Sequence, residues 1–480
     1  MVSTVAMKFI KPVIFAMLAV IAGIFLILGS RQNTSDVPPG FTVVEYWEKW
    51  VGNEATQMRI IVDDFNRTVG HDKKIYVRYL SMTDIDQKTL ISIAAGVPPD
   101  ITGTWDTQIA QFAAIGAVER LDDLAKARGI TKDYYLPVYW DGCSYEGHLY
   151  ALISTPGVVA LLYNKQIFAD CAPQLRAAGL DPDQPPRTLD EFDRYAAVFD
   201  LKDKDGRLQR AGYLPLQSWY IPQLGLWFGA DIFDAENHRM MLDSPAMLNT
   251  FEWIKSFSTR IGGQTLLNFQ NAMGNTFDSP QNPFLAGKLV MQQQGPWMAN
   301  YIAHLKPSFS QLLMPTSEEW KLKDRASNYG WGVAPFPSAV PDMENVSYDP
   351  FDALMIPAGA KHKNEAFEFL AYVNQQDVAE KICTLHCKNC QLRHVSEEFL
   401  THHPNPYIAI YQQLAASPNA HCVPVCAIWP EIYKELLDSA QAVTLGEEPA
   451  VALKLAQQRM AERYDRFITL ERRREQLGIN

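Results

Sequence analysis

The sequence predicts an α/β fold in which strands and helices alternate, and three observations near the start of the chain predict it. Residues 41–47 and 75–80 are rich in β-branched and aromatic side chains, and each run has the length of one strand. Residues 53–65, between them, carry apolar side chains at the spacing of an amphipathic helix. A strand–helix–strand order that continues into a further helix and strand is typical of a doubly wound sheet.

The segment after the second strand is predicted to be that further helix. Ser81 or Thr83 can cap its start. Leu90, Ile91 and Ala94 supply one apolar stripe at helical spacing. We therefore expect this stripe to face the core.

A glycine and two prolines are expected to end this helix. Gly96 suits the left-handed position that follows a helix end, and Pro98 and Pro99 prevent the helix from continuing. The short strand that follows delivers Trp105 and Asp106 to its carboxyl end, where ligands bind in open α/β sheets. An aromatic ring beside a carboxylate at such a place is suited to holding a sugar.

The composition is that of a globular protein with more than one core. The chain has 480 residues, of which 47% are hydrophobic and 20% are charged. Its formal net charge of −11 would repel phosphates and argues against a nucleic-acid partner. Its 11 tryptophans and 20 tyrosines provide aromatic faces on which sugar C–H groups can stack, although most such rings belong to cores.

Residues 1–30 are predicted to be a signal peptide or an uncleaved membrane anchor. Lys8 and Lys11 precede an unbroken apolar run, which is the order of a secretory signal. The run lies within residues 13–30, which are just long enough to span a bilayer. Residues 31–40 have the composition of a linker. Both alternatives place the rest of the chain in the periplasm or elsewhere outside the cytoplasm, and the anchored form adds the inner membrane as a partner.

Several motifs, in order along the chain, are similar to those of one protein family. The run AAGVPPDI begins at Ala94, LYNK at Leu162 and PPRTLDEF at Pro185. In the last of these, Thr188 and Glu191 are placed as the capping box of a helix. A later motif, FLAGKLVM, is followed closely by GPW. These blocks resemble the signatures of extracellular solute-binding proteins of ABC transporters, the carbohydrate-binding family that includes maltose-binding protein.

The resemblance implies a two-lobed periplasmic-binding-protein fold, with a ligand cleft between lobes that crossover segments join. Lobe 1 is expected to comprise residues 41–154 and 338–390, lobe 2 residues 155–337 and 391–470, and a polar tail residues 471–480. The resemblance also implies the extracytoplasmic substrate-binding component of an ABC importer, which binds a sugar or oligosaccharide and delivers it to the permease subunits by hinge closure. Such a protein is expected to be a monomer without catalytic activity or a cofactor.

Sugar recognition needs flat rings for stacking and planar groups that hydrogen-bond to neighbouring hydroxyls. The resemblance places groups of these kinds at the cleft. The expected ligand-binding residues are Trp47, Trp50, Asn53, Trp105, Asp106, Trp219, Trp297, Trp331, Asp352 and Trp429. Trp105 and Asp106 stand out because a buried strand end has few other uses for an adjacent acid.

Five of the seven cysteines lie close together in the last fifth of the chain. They are Cys383, Cys387, Cys390, Cys422 and Cys426. In an oxidising compartment the first expectation is one or two disulfides among them. The spacing also permits a metal site that uses these thiols with His386, His394 or His421, and buried free thiols are a third alternative.

Three further functions remain as alternatives. An exported glycan hydrolase would need two carboxylates that flank the glycosidic bond, for which Asp106 and Asp352 are the candidates. The sequence has no GxSxG, HExxH or GK[ST] motif, which argues against catalysis. A cysteine-cluster metal protein would leave the other motifs unexplained. An uncleaved anchor would permit a membrane-tethered sugar sensor.

Overall fold

The computed structural model describes residues 37–217, 221–273, 278–311 and 329–476. Its helices are α1 (Gly52–Arg67), α2 (Val69–Lys73), α3 (Ile85–Ala94), α4 (Ile109–Ala114), α5 (Asp122–Ala127), α6 (Pro137–Gly142), α7 (Lys165–Asp170), α8 (Ala172–Ala177), α9 (Leu189–Phe199), α10 (Pro245–Ile261), α11 (Gly263–Met273), α12 (Met298–Leu305), α13 (Pro307–Gln311), α14 (Lys363–Val373), α15 (Gln376–Leu385), α16 (Glu397–His402), α17 (Ile408–Ala415), α18 (Trp429–Thr444) and α19 (Pro449–Gln476).

The strands are β1 (Thr42–Glu48), β2 (Ile75–Ser81), β3 (Ile101–Trp105), β4 (Ser144–Tyr145), β5 (His148–Leu149), β6 (Leu152–Pro156), β7 (Ala160–Asn164), β8 (Leu201–Lys202), β9 (Leu208–Arg210), β10 (Phe233–Asp234), β11 (Arg239–Met240), β12 (Met291–Gln294), β13 (Trp331–Ala334), β14 (Ser347–Tyr348), β15 (Phe351–Met355) and β16 (Ala420–His421). Short 3₁₀ helices cover Asp106–Gln108, Pro215–Gln217 and Pro222–Phe228.

The first sheet contains the strands predicted near the start of the chain. Its five strands lie in the order β2-β1-β3-β15-β6, and β1 is parallel to both β2 and β3. The strand β15 is antiparallel to β3 and β6. Helices connect the parallel strands, which confirms the predicted strand–helix–strand opening. The carboxyl ends of β1 and β3 therefore lie at one edge of the sheet.

Helix α3 ends as predicted and begins differently. Gly96 has φ of 71°, the left-handed conformation expected after a helix end. The residue before the first turn is Asp84, and its side chain makes no capping hydrogen bond. The predicted caps, Ser81 and Thr83, do not lie at this position because β2 continues through Ser81.

The face of α3 that was expected to be buried is only partly the buried one. Ile85, Thr89 and Ser92 are buried, whereas Ile91 is 67% exposed. The hydroxyl oxygens of Thr89 and Thr102 lie 3.0 Å apart, so α3 packs on β3 through hydrogen-bonded hydroxyl groups. Of the predicted stripe, Leu90 packs against buried hydrophobic residues, whereas Ile91 and Ala94 are exposed, so the prediction was right for Leu90 alone.

The predicted capping box on α9 is present. Thr188 Oγ1 accepts the backbone N–H of Glu191 at 3.1 Å. The side chain of Glu191 reaches back to accept the N–H of Arg187 at 2.8 Å, one residue earlier than in the usual box. The chain is therefore turned sharply into this helix.

A second sheet separates two buried hydrophobic clusters. Its strands lie in the order β12-β7-β13, and both outer strands are antiparallel to β7. Side chains of β7 alternate between its faces: Ala160 and Leu162 belong to the first cluster, and Leu161 and Tyr163 to the second. The first sheet packs in the first cluster.

The chain passes between the sheets more than once. It leaves the first sheet after β6, enters the second at β7, and returns between β13 and β15. After β15, buried residues through Ala415 belong to the first cluster, and those from Val423 onward belong to the second. The expected lobe boundaries remain predictions.

The last helix, α19, contacts both clusters. Leu453 and Tyr464 are buried in the second cluster. Near its end, Arg474 Nη2 donates to the backbone oxygen of Ile115 at 3.3 Å, and Ile115 packs against the first cluster. The polar tail expected at residues 471–480 is thus helical as far as Gln476.

The predicted signal peptide or anchor, residues 1–30, lies outside the described residues. Among the described residues, none of the helices combines the length and the apolar composition needed to cross a membrane.

A glycine in β3 makes room for a buried glutamate in β1. Glu48 and Gly103 are register partners in the parallel pair. Glu48 is fully buried, and a Cβ atom added at Gly103 would lie 2.0 Å from its Oε2. The close contact explains why a residue without a side chain occupies position 103.

We expect Gly103→Ala to lower the free energy of unfolding by roughly 3 kcal/mol, because the new methyl group displaces a buried carboxylate. Chemical denaturation of the purified chain measures this. Gly96→Ala is the control, because a Cβ atom there meets open space. This variant should lose only about 1 kcal/mol of unfolding free energy, from the left-handed backbone conformation. Equal losses in the two variants would contradict the steric explanation.

Candidate ligand-binding cleft

A cavity of about 630 Å³ opens where β1 and β3 end and β15 begins. Its lining residues are Lys49, Trp50, Val51, Glu54, Trp105, Asp106, Thr107, Gln108, Gly157, Gln223, Trp297, Tyr301, Tyr348, Pro350, Phe351, Asp352, Lys388, Trp429, Pro430 and Tyr433. Trp50 and Phe351 belong to the first hydrophobic cluster, whereas Tyr348 and Trp429 belong to the second. The cavity is therefore a cleft with walls from both halves of the molecule.

The floor of the cleft is a buried ion triad. Asp352 Oδ1 accepts Lys49 Nζ at 2.8 Å, and Asp352 Oδ2 accepts Lys388 Nζ at 2.5 Å. Thr155 Oγ1 donates to the same Oδ2 at 2.8 Å. Burial alone would raise the pKa of Asp352, but Lys388 and Lys49 outweigh it and hold that pKa well below its usual range. Asp352 is thus a permanent anion between two cations.

Lys49 is held by three acceptors. Besides Asp352, its ammonium group donates to the backbone oxygen of Thr104 at 2.9 Å and lies 3.5 Å from Glu48 Oε1. Burial lowers the pKa of Lys49, but the carboxylates of Asp352 and Glu48 reverse the effect and raise it above its usual value. The hydroxyl group of Tyr46 donates to the carboxylate of Glu48 and so fixes the group that Lys49 contacts.

Lys388 reaches the triad from the segment that follows α15. Cys387, just before it, has φ of 57°, and the Lys388 N–H donates to the backbone oxygen of Cys383 at 2.8 Å. This left-handed turn reverses the chain at the end of the helix. The Lys388 ammonium group donates to Thr155 Oγ1 at 2.8 Å as well as to Asp352.

Tryptophan rings form the walls beside the two lysines. Lys388 Nζ lies 5.6 Å from the ring centre of Trp50 and 5.5 Å from that of Trp297. Lys49 Nζ lies 5.2 Å from the ring centre of Trp105. These distances are within the range of cation–π attraction. The Trp105 ring is 48% exposed, which leaves much of its surface free to meet a ligand.

Asp106 is buried at the rim of the floor with one oxygen unsatisfied. Its Oδ1 accepts the N–H of Thr107 at 3.0 Å, and its Oδ2 has no hydrogen-bond partner among the described residues. Burial, with a smaller contribution from the charge of Asp352, raises the pKa of Asp106 to about 8. Near neutral pH this carboxyl group is therefore largely protonated in the empty cleft.

The structure brings most of the predicted binding residues together. The predicted residues that line the cleft are Trp50, Trp105, Asp106, Trp297, Asp352 and Trp429. Trp219 lies outside the described residues.

Three predicted residues lie elsewhere. Trp47 is half-buried in β1, on the face opposite to Glu48. Asn53 is exposed in the first turn of α1, and its neighbour Glu54 lines the cleft instead. Trp331 is 1% exposed and packs against the ring of Tyr407 at 4.7 Å, so it is a core residue.

Sequence reasoning missed both lysines and several polar residues of the cleft. Lys49 carried a usable signal, because it lies two residues after the end of the first predicted strand. Lys388 carried none, because it stands among cysteines and its partner Asp352 is 36 residues away. Gln223 was likewise hidden in an aromatic run whose structure could not be predicted from spacing.

The expected disulfides are not formed, and all seven cysteines are free thiols. The thiols of Cys383 and Cys390 each lie 3.8 Å from Gln391 Oε1 and share this acceptor. Cys422 Sγ instead lies 3.1 Å from the backbone oxygen of Val138. Burial raises the pKa of the Cys383 and Cys422 thiols well above the usual value, which makes them poor nucleophiles.

The metal alternative also lacks a site in the part of the chain that is described. No group of three or more histidine, cysteine, aspartate or glutamate side chains there is arranged to hold a metal ion. His386 is buried against the ring of Trp50, with ring centres 4.7 Å apart. Burial, and then the charge of Lys388, hold the pKa of His386 well below its usual value. This side chain supports the cleft wall.

We expect Asp352→Asn to destabilise the protein by roughly 3–5 kcal/mol, because it leaves two buried ammonium groups without their shared counter-charge. Urea denaturation at pH 7 measures the change. Asp141→Asn, at an exposed position outside the cleft, is the matched control and should shift stability by less than about 0.5 kcal/mol. A small effect of Asp352→Asn would show that the triad is not a structural requirement.

A second prediction concerns pH. The pKa of Asp106 is about 8 in the folded state and its ordinary value is 3.8. At pH values between these two, the folded protein keeps the Asp106 proton, whereas the unfolded chain has lost it. Its contribution to stability therefore falls as pH rises. We expect the unfolding free energy of Asp106→Asn, minus that of the wild type, to increase by about 3.6 kcal/mol from pH 5 to pH 8. Denaturant titrations at both pH values test this, and a constant difference would contradict it.

The chain matches known proteins over much of its length. A family model described as bacterial extracellular solute-binding protein matches residues 50–380. The chain is 22% identical over 343 residues to a maltotriose-binding protein of Pyrococcus abyssi (strain GE5 / Orsay), a match that covers 71% of this chain and 64% of the relative. It is 25% identical over 313 residues to the sn-glycerol-3-phosphate-binding periplasmic protein UgpB of Pectobacterium atrosepticum, with coverages of 62% and 64%. The chain thus spans less than two thirds of the length of these relatives.

Solved structures share the fold. CpMnBP1 with mannotriose bound superposes with a TM-score of 0.71 at 23% identity, over 87% of this chain and 99% of that chain. The sugar-binding protein MalE of Xanthomonas citri gives 0.68 at 18% identity, over 89% and 99%. The α/β architecture is therefore the two-lobed fold of periplasmic binding proteins, as expected from the sequence. Since the family model covers more than half of the chain, the protein belongs to the bacterial extracellular solute-binding protein family.

Proposed function

We propose that the protein binds a sugar or an oligosaccharide in the cleft. The observation that carries this proposal is a cavity of about 630 Å³ with four tryptophans in its walls and charged groups in its floor. Aromatic faces take the C–H faces of sugar rings, and buried polar atoms at fixed positions take the hydroxyls. The relatives and structural neighbours that bind maltotriose and mannotriose support the same ligand class.

The role that follows is that of the extracytoplasmic binding component of an ABC importer. Tyr348 and Trp429 of the second cluster line the same cleft as Trp50 and Phe351 of the first, so a ligand that contacts both sets stabilises a closed arrangement. The permease subunits would recognise that closed form. Membership of the extracellular family supports this location, and residues 13–30 would serve as the signal or the anchor.

The floor of the cleft does not favour the hydrolase alternative. A glycosidase needs one carboxyl group as an acid and another as a free base or nucleophile. Asp106 meets the first requirement, but both oxygens of Asp352 are bound to lysines. A doubly paired carboxylate is a weak base and is not free to attack.

We expect isothermal titration against a panel of mono- and oligosaccharides to give saturable binding to one sugar class. Trp105→Ala should raise the Kd for that sugar about tenfold, about 1.4 kcal/mol, because an exposed stacking face is lost. Ile91→Ala removes another exposed apolar side chain, one outside the cleft, and should leave the Kd unchanged.

Two outcomes would argue against the proposal. One is the absence of heat with every sugar of the panel. The other is a Kd that Trp105→Ala and Trp297→Ala both leave unchanged, which would place the ligand outside this cleft.

A further inference from the structure

We propose that Asp106 binds the ligand as a hydrogen-bond donor, with its carboxyl proton on Oδ2 and directed into the cleft. This inference rests on the proposed function, because it assigns one residue a role in the binding of the carbohydrate. An ionised carboxylate at the same position would act only as an acceptor. The two roles therefore predict opposite effects of pH on the affinity for the ligand.

The two oxygens of the Asp106 carboxyl group have different surroundings. Oδ1 accepts the backbone N–H of Thr107 at 3.0 Å, whereas Oδ2 is buried and has no hydrogen-bond partner among the described residues. A protonated carboxyl group has one O–H donor besides its acceptor oxygen. Because Oδ1 already serves as the acceptor, the proton belongs on Oδ2. Asp106 lines the cleft, so an oxygen of the ligand can take this donor.

The surroundings of Asp106 favour its neutral form. The residue is 4% exposed, and burial is the main reason that its pKa is raised to about 8, with a smaller contribution from the charge of Asp352. The backbone N–H groups of Thr107 and Phe351 and the charge of Lys49 act in the opposite direction, but they do not offset burial. The ammonium group of Lys49 contacts Asp352 instead, at 2.8 Å.

Other uncharged titratable groups near Asp106 keep their protons up to pH 9. Burial raises the pKa of the Cys143 and Cys422 thiols well above the usual value, and the charge of an ionised Asp106 would raise both further. Burial also raises the pKa of Tyr433, on the helix α18 that packs against the 3₁₀ turn at Asp106–Gln108. None of these three groups therefore explains a change in affinity around pH 8.

The charged groups around the floor keep their charges over the same range. The pKa of Asp352 lies well below this range and that of Lys49 lies above it. Lys388 is bound to Asp352 Oδ2. Glu54 is the remaining acid that lines the cleft, and burial raises its pKa as well. Its contribution has to be separated from that of Asp106 by a variant.

A second donor in the cleft supports the same ligand chemistry. Trp429 Nε1 is buried without a hydrogen-bond partner among the described residues, and Trp429 begins the helix that packs against the Asp106–Gln108 turn. Gln223 Oε1 lines the same cleft as an acceptor without a described partner. A hydroxyl group both accepts and donates, so it can pair with groups of both kinds. Pairing them recovers the free energy that unsatisfied buried groups cost.

The donor role determines the sign of the pH dependence. If the ligand binds only the protonated form of Asp106, whose pKa is about 8, the Kd is constant well below pH 8 and rises about tenfold from pH 7 to pH 9. Binding at the higher pH is then coupled to the uptake of a proton. An acceptor role predicts the reverse, a Kd that falls as pH rises and a proton that is released.

Isothermal titration of the full chain tests the proposal, with the sugar that binds most tightly in the panel described above. The Kd is measured at pH 6, 7, 8 and 9, and the titration at pH 8 is repeated in two buffers of different ionisation enthalpy to count the protons exchanged. We expect a Kd about tenfold higher at pH 9 than at pH 7, and proton uptake on binding. A Kd that is constant or falls over this range, or the release of protons, would overturn the proposal.

Two replacements of Asp106 separate a donor from an acceptor. Asp106→Asn keeps an acceptor oxygen for Thr107 and places an N–H donor that does not titrate where the O–H was. Its Kd should not change between pH 7 and pH 9. Asp106→Leu has a similar shape and no donor, so it should bind the sugar about tenfold more weakly than Asp106→Asn. Equal weakness of the two variants would show that the carboxyl group is an acceptor, against the proposal.

Two further variants locate the titrating group. Burial raises the pKa of Asp349 to about 8 as well, but Asp349 does not line the cleft. Asp349→Asn and Glu54→Gln should therefore both keep the rise in Kd between pH 7 and pH 9. If the rise is lost in either of them and persists in Asp106→Asn, the pH dependence belongs to another group and the inference is wrong.

The outcomes separate this inference from the proposed function. If sugars bind with the opposite dependence on pH, Asp106 is not the donor and the sugar-binding function stands. If no carbohydrate binds at any pH, the proposed function fails and this inference fails with it.

Discussion

The carboxylate of Asp352 lies between two buried ammonium groups, and the shape of the cleft depends on this contact. A buried ammonium is tolerated only beside a counter-charge, and one carboxylate serves both Lys49 and Lys388. Lys49 directly follows β1, Asp352 lies in β15 and Lys388 lies in the segment after α15, so the triad fixes three distant parts of the chain at one point. The rings of Trp50 and Trp297 lie beside the ammonium group of Lys388. The triad in the floor therefore also positions these two rings of the cleft walls.

The triad also determines which groups of the cleft are available to bind a ligand. Because the lysines are occupied by the protein, recognition falls to the tryptophan faces and to polar groups such as Asp106 and Gln223. An arrangement of this kind differs from a phosphate site, in which cationic donors point into the cavity. Two proteins with the same lobes can thus prefer ligands of different charge, depending on whether their lysines are already paired.

The sequence predicted those parts of the fold that depend on neighbours along the chain. The parallel opening, the glycine stop at Gly96 and the site pair Trp105 and Asp106 all follow from local pattern. What it could not predict depends on contacts between distant residues. Trp331 looks like a cleft tryptophan until its packing against Tyr407 is known. The place of Lys388 in the cleft could not be predicted without its contact to Asp352. The spacing of the cysteines likewise did not indicate that all seven are free thiols.

The contact between Glu48 and Gly103 has a consequence for how such a protein can diverge. Any side chain at position 103 collides with the glutamate, while a shorter residue at position 48 removes an acceptor from Lys49. Neither position can change first without a loss of stability. The two are therefore expected to evolve as a pair, through a double replacement or a compensating change at Lys49, and a library that varies them separately would find few tolerated substitutions at either.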